Sequence, residues 1–159
     1  MNVPRRREVE RFIHVDSRDF NGITKSKYHV IFGTHIPVQD YNNVIKLELK
    51  AFMSKAPTDP ITGINEDYVF FKIKNVDGKL DSTSSVNEAC TVCYFDTPTA
   101  NTKRPIYFGG NSFEFNPPIA KLSKLDIEIV THDGEPCVLS DVGPQSFLLK
   151  ITYIEGNMY

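Results

Sequence analysis

From Tyr28 onward the chain consists of short runs in which apolar residues recur at every second position, and this period constrains its fold more than any other feature. Tyr28, Val30 and Phe32 share one parity before Gly33, and Ile45, Leu47 and Leu49 alternate with Lys46, Glu48 and Lys50. Val69, Phe71 and Ile73 alternate with Phe70, Lys72 and Lys74. Further runs follow at Cys90–Phe95, Ile106–Phe108, Phe113–Phe115, Leu125–Ile129 and Phe147–Tyr153. Period two places successive side chains on opposite faces of a sheet, so each run has one core face and one wetter face. The turn-formers between them include Asp77-Gly78 and Asp133-Gly134, expected to supply the positive φ of tight turns.

One run is ambiguous: Ile45, Leu49, Phe52 and Met53 also fit one face of a helix. The β-branched Val44 and Ile45, with Pro57 soon after, favour a strand at Asn43–Lys50. About eight half-buried strands without intervening long helices predict an all-β domain of two antiparallel sheets rather than a parallel α/β sheet. A jelly roll fits the strand number, with an immunoglobulin-like sandwich second. The chain has no Trp, so the Cys…Trp…Cys pattern of the latter is absent.

A chain of 159 residues buries roughly 69% of its unfolded surface, enough for a full core without disulfides or a structural metal. No apolar run reaches the roughly 18 residues needed to span a bilayer, and no apolar stretch follows the basic N-terminus as in a signal peptide. The expectation is residence in a reducing compartment, with Cys90, Cys93 and Cys137 as free thiols.

Residues 1–24 differ from the body, residues 25–159. Arg5, Arg6, Arg7, Arg11 and Arg18 stand among Glu8, Glu10, Asp16 and Asp19, interrupted by Phe12-Ile13-His14-Val15. This reads as a partly extended basic arm contributing at most one strand, with Asn21-Gly22 as a turn. Its apolar patch distinguishes it from a free tail. Between Ala56 and Asn101 the balance reverses, with Asp59, Glu66, Asp67, Asp77, Asp81, Glu88 and Asp96 against Lys72, Lys74 and Lys79. A basic end and an acidic middle suit head-to-side self-association. The net charge of −2, and the absence of interleaved aromatics in the arm, give no reason to expect direct nucleic-acid contact.

The catalytic constellations fail one by one. Cys90-Thr91-Val92-Cys93 has zinc-ligand spacing, and His132 with Cys137 would complete a Cys₃His set. Positions three apart in a strand point to opposite faces, however, and nothing between these two cysteines makes a turn, so no metal is expected. His14, His29, His35 and His132 form no His-x-His pair, and His29 should face outward. Asp126 and Glu128 read as the wet side of a strand, and Gly109-Gly110-Asn111 as a turn lacking a phosphate loop's Lys-Ser/Thr. No Gly-x-Ser-x-Gly elbow occurs. Neither an enzyme nor a cofactor is expected.

Three segments carry a resemblance. Arg11-Phe12-Ile13-His14-Val15-Asp16-Ser17-Arg18-Asp19 resembles the hydrophobic–Asp–Ser–Arg–Asp opening of small virion proteins from large icosahedral nucleocytoplasmic DNA viruses. Strands like Tyr28–Phe32 and Asn43–Leu49 follow it in that family, and residues 125–134 with 146–151 resemble its tail. The resemblance implies a penton or minor capsid protein with one jelly roll, similar to half of the double jelly-roll major capsid protein. It implies a homo-oligomer (a pentamer for a penton), major and minor capsid proteins as partners, and assembly in the host cytoplasm into the virion. A membrane contact is not indicated. Arg5, Arg6, Arg7, Arg11 and Arg18 are the expected interface charges. The alternative is a receptor- or carbohydrate-binding module, a fibre head or lectin-like jelly roll, using Tyr41, Tyr107 or Tyr159 to stack on sugars.

Overall fold

The computed structural model describes residues 6–38, 40–59, 61–78, 80–84, 86–95, 104–107 (backbone only) and 112–155. Nine strands lie among them: β1 Arg7–Asp16, β2 Lys27–Ile31, β3 Tyr41–Ser54, β4 Tyr68–Ile73, β5 Thr91–Phe95, β6 Arg104–Tyr107, β7 Ser112–Leu122, β8 Lys124–Val130 and β9 Ser146–Glu155. A 3₁₀ turn at Ser17–Asp19 and a single helical turn, α1 at Leu139–Val142, complete the elements.

The strands form two antiparallel sheets. Sheet A has the order β1-β9-β3-β7 and sheet C the order β2-β8-β4-β5. At one edge β6 joins them, pairing with the end of β3 and then with β5. The pairs are nested along the chain: β1 with β9, β2 with β8, β3 with β7 and β4 with β5. The expected all-β architecture of two antiparallel sheets is present.

The inward faces pack as the parity predicts. Val69, Phe71 and Ile73 of β4 meet Phe147, Leu149 and Ile151 of β9 in one buried cluster, with Leu125, Ile127 and Ile129 of β8 and Tyr28 and Val30 of β2. The Phe71 and Phe147 rings stand edge to face with centroids 5.0 Å apart. A second, smaller cluster lies on the outer face of sheet C. There Phe70 and Val130 are covered by Val86 and Ala89, with Tyr68, Leu80 and Val92 at its margin.

β3 is extended throughout, which removes the helical alternative. Two register shifts, between Val44 and Lys46 and between Leu49 and Ala51, reverse the inward parity twice. The buried set is therefore Val44, Leu47, Leu49 and Phe52, while Ile45 is only half-buried. Spacings of three, two and three give the sequence its helix-like look. Asn43, beside the first shift, sits at φ 54, a left-handed conformation that Asn tolerates better than most residues.

Some boundaries move. β5 begins at Thr91, so Cys90 precedes the strand. β6 covers Arg104–Tyr107 rather than Ile106–Phe108; Phe108 and the Gly109-Gly110-Asn111 turn lie outside the described residues. β7 runs past Pro117-Pro118, a pair that would break a central strand. It is an edge strand, and its register with β3 skips from Glu114 to Ile119, so neither proline is asked for a ladder hydrogen bond there.

The two Asp-Gly turns differ in kind. Gly134 has the expected positive φ of 81°. Gly78 does not; a Cβ there would lie 1.9 Å from the Glu88 carbonyl oxygen, so glycine is required by the close approach of two backbone segments.

Within the stretch 1–24, residues 7–16 pair with β9 along all ten positions, and Ile13 and Val15 are buried in the main core. The single strand expected in the arm is thus ten residues long and forms the edge of sheet A.

Candidate functional site

The Asp16-Ser17-Arg18-Asp19 element builds the corner leaving β1. The Asp16 carboxylate accepts from the Arg18 backbone N–H at 2.9 Å and from the Arg18 guanidinium at 2.6 to 3.1 Å. These bonds hold its pKa below the ordinary carboxylate value, overcoming a smaller opposing effect of burial. Ser17 is buried; its N–H donates to the Gln145 carbonyl at 2.8 Å and its Oγ accepts from the Gln145 N–H at 2.9 Å. Gln145 in turn accepts a hydrogen bond from the Ser26 hydroxyl through its side-chain oxygen. The motif is therefore a staple joining the end of β1 to the start of β9 and to the segment entering β2.

The five arginines do not form one patch. Arg5 lies outside the described residues. Arg6 is exposed, and Arg7 makes an exposed pair with Glu155 at 3.3 Å. Arg11 is exposed at the mouth of a concavity of about 340 Å³ shared with Asp40, Tyr41, Asn43, Tyr153 and Glu155. Arg18 is engaged by Asp16 in the corner.

The cysteine and histidine set does not assemble. Cys90, Cys93 and Cys137 are free thiols inside the main core, whereas His132 is exposed and bonded through Nδ1 to the Tyr68 hydroxyl at 2.7 Å. Cys90 and Cys93 share one core instead of opposite faces, because strand alternation begins only at Thr91. Burial pushes the Cys90 thiol up to about 11 and the Cys137 thiol to about 12, and raises Cys93 as well, so all three are protonated at neutral pH. Among the described residues no group of three or more His, Cys, Asp or Glu is placed to hold a metal ion. Among them, too, no helix is long and apolar enough to cross a membrane.

The outer faces of the sheets differ. On sheet A, Glu48 is buried among Lys46 at 3.9 Å, Lys50 at 3.5 Å and Lys150 at 3.5 Å, and Lys150 also reaches Glu10 at 2.9 Å. Burial raises the Glu48 pKa, but the three ammonium groups outweigh it and leave the value low. On sheet C the half near β2 is likewise charged. His29 faces outward as expected and bonds to Asp126, Lys124 is 3.5 Å from Asp126, and Lys74 is 3.4 Å from Glu128.

The other half of that face is aromatic. Tyr68 and Phe70 of β4 stand outward beside Val92 and Tyr94 of β5, and a concavity of about 410 Å³ opens between them and the segment carrying Leu80, Asp81 and Ser82. The Tyr68 and Tyr94 rings lie 6.1 Å apart, inclined at 59°, and Tyr94 is 53% exposed. Glu66, Asp67 and Asp133 are close enough to Tyr68 to act with burial in raising its pKa. Glu66 is itself raised, by burial and by Asp59, Asp133 and Asp67. The signal for this shelf was the pair of apolar residues, Phe70 and Val92, at positions that parity assigns to the wet face.

Of the tyrosines expected to stack on sugars, Tyr41 is buried at 5% exposure against Phe32 and Tyr153 and offers no open ring face. The side chains of Tyr107 and Tyr159 lie outside the described residues. No protein-family model matches this chain, and no curated protein matches it at a meaningful level of similarity.

Proposed function

We propose that this chain is a structural component of an icosahedral virus shell, a penton or minor capsid protein built on a single jelly roll. The observation that carries the reading is the nesting of strand pairs, first with last and inward to β4 with β5. Such nesting is what results when a long antiparallel ribbon of four pairs is wrapped into two sheets. The double-sheet jelly roll is an architecture of viral capsid and lectin domains. The corner at Asp16–Asp19, which carries the sequence resemblance, supports the reading by having a structural role: it ties the first strand to the last.

The work of such a protein is geometric. Identical copies bury edges and loops against one another, and symmetry sets whether the assembly closes. Among the described residues β1, β2 and β7 each pair on one side only, which makes them the edges of the two sheets. Partners are then other copies of the chain and the major and minor capsid proteins, and the location is the virion. Size-exclusion chromatography with light scattering tests this. A stable pentamer, or a monomer retained specifically by capsomers, is the expected result; a monomer with no affinity for capsomers refutes it.

A further inference from the structure

We propose that the aromatic shelf of sheet C receives the arginine-bearing start of β1 from a second copy of the chain. The shelf has the chemistry of a guanidinium site. Tyr68 and Tyr94 present inclined rings beside a concavity of about 410 Å³, and Asp81 is among the residues lining it. Glu66, Asp67 and Asp133 lie near enough to act electrostatically on Tyr68, and neither lysine nor arginine lines the concavity among the described residues. His132 is engaged with the Tyr68 hydroxyl, fixing that ring. An aromatic face with carboxylates at its rim favours a cation, and a planar guanidinium both stacks on tyrosine and bonds carboxylates.

The complementary charge is at the start of β1. Arg7 is exposed at the first position of β1 and Arg6 is exposed just before it, and the Arg7–Glu155 pair at 3.3 Å has both side chains mostly in water. Such a pair exchanges partners at little cost.

The register of the sheets shows why the partner must be another molecule. Arg7 pairs with Glu155, Tyr153 with Val44, and Tyr41 with Leu122, so the start of β1 lies at the end of sheet A from which the chain turns at Ser123 into β8. In sheet C, Lys124 is at that same end, while Val130 and its neighbour Phe70 are at the far one. Tyr94 is tied to the far end too, through Tyr107 of β6, whose Pro105 and Arg104 pair with Met53 and Ser54. The arginines and the shelf thus occupy opposite ends and opposite sheets, separated by about 30 Å along the ten residues of β1. Arg6 and Arg7 of one copy therefore cannot reach that copy's own shelf. A head-to-tail contact takes them to another copy's, and repeated it gives a closed ring or an open filament. This inference rests on the assembly reading above and names the contact that would produce it.

Sedimentation velocity of the full chain over a concentration series tests it, with far-ultraviolet circular dichroism to verify folding. Arg6→Glu with Arg7→Glu is expected to weaken self-association by about tenfold or more, and so is Asp67→Lys with Asp81→Lys. Combining the four changes in one chain should restore it. Tyr94→Ser, at an exposed position, should weaken association without unfolding the chain. A wild type that stays monomeric, or rescue that fails although the four-fold variant folds, overturns the contact. Association unaffected by any of these changes overturns it and leaves the symmetric shell component standing. Swap-dependent association into open filaments sustains the contact while counting against a closed ring. A glycan captured at the shelf by a protein whose association ignores Arg6 and Arg7 also overturns it.

Discussion

Replacing Ile13 by Ala asks whether the start of the chain is a wall of the core or a strap lying against it. Ile13 is 2% exposed, opposite Leu149, whereas the adjacent Phe12 is 58% exposed on the outer face. Ile13→Ala removes three carbon groups at about 0.8 kcal/mol each. The cavity left between sheets that cannot fully relax brings the expected loss to about 3 kcal/mol. Phe12→Ala loses more atoms but little burial, and should cost about 1 kcal/mol or less. For a domain of this length each kcal/mol lowers the melting temperature by about 2–4 °C, so the two variants should differ by roughly 4–8 °C in calorimetry. Urea titration should give the same order with unchanged m-values. Equal losses, or a larger loss at Phe12, would refute the register of β1 and with it the pairing of first and last strands.

Three further outcomes follow from the same geometry. Asp16→Ala should cost about 1 kcal/mol at pH 7 through the lost cap. Because Arg18 holds the Asp16 pKa below its unfolded value, the carboxylate's contribution is complete above that unfolded value and lost as pH falls through the folded one; denaturation followed from neutral pH down into the acid range should show the gap between variant and wild type closing. Cys90, Cys93 and Cys137 should react with a thiol reagent only as fast as the chain opens, and rapid labelling of the native protein would contradict their burial. Gly78→Ala should destabilise by about 2–3 kcal/mol, since its Cβ would stand 1.9 Å from the Glu88 carbonyl oxygen; a neutral result in a melting experiment would contradict that close approach.

What the sequence made legible is what period two encodes: which residues face inward. Val69, Phe71 and Ile73, or Phe147, Leu149 and Ile151, read correctly because each strand keeps its parity from end to end. β3 did not, because two bulges invert its faces and place Val44 and Phe52, not Ile45, in the core. Alternation also says nothing about partners, so the nesting of β1 with β9 and β2 with β8 needed coordinates. The basic start was legible as charge, but its ten-residue pairing was hidden. Only Ile13 and Val15 are buried, and the earlier half of β1 puts Arg7 and Arg11 on their face and Glu8 and Glu10 on the other, so charge hides the alternation. The aromatic shelf left a trace in Phe70 and Val92, which stand apolar where the pattern calls for polar residues. Glu66, Asp67 and Asp81 were legible as part of the acidic middle, whereas Asp133, which also acts on Tyr68, is too far away in sequence to be grouped with them.

Single-particle imaging of the purified chain, alone and mixed with capsomers, tests most directly whether this fold serves to build a shell. Five-fold rings, or density for one copy per site seated against capsomers, are the expected result. Dispersed single copies that leave capsomers undecorated at every concentration tried would contradict it.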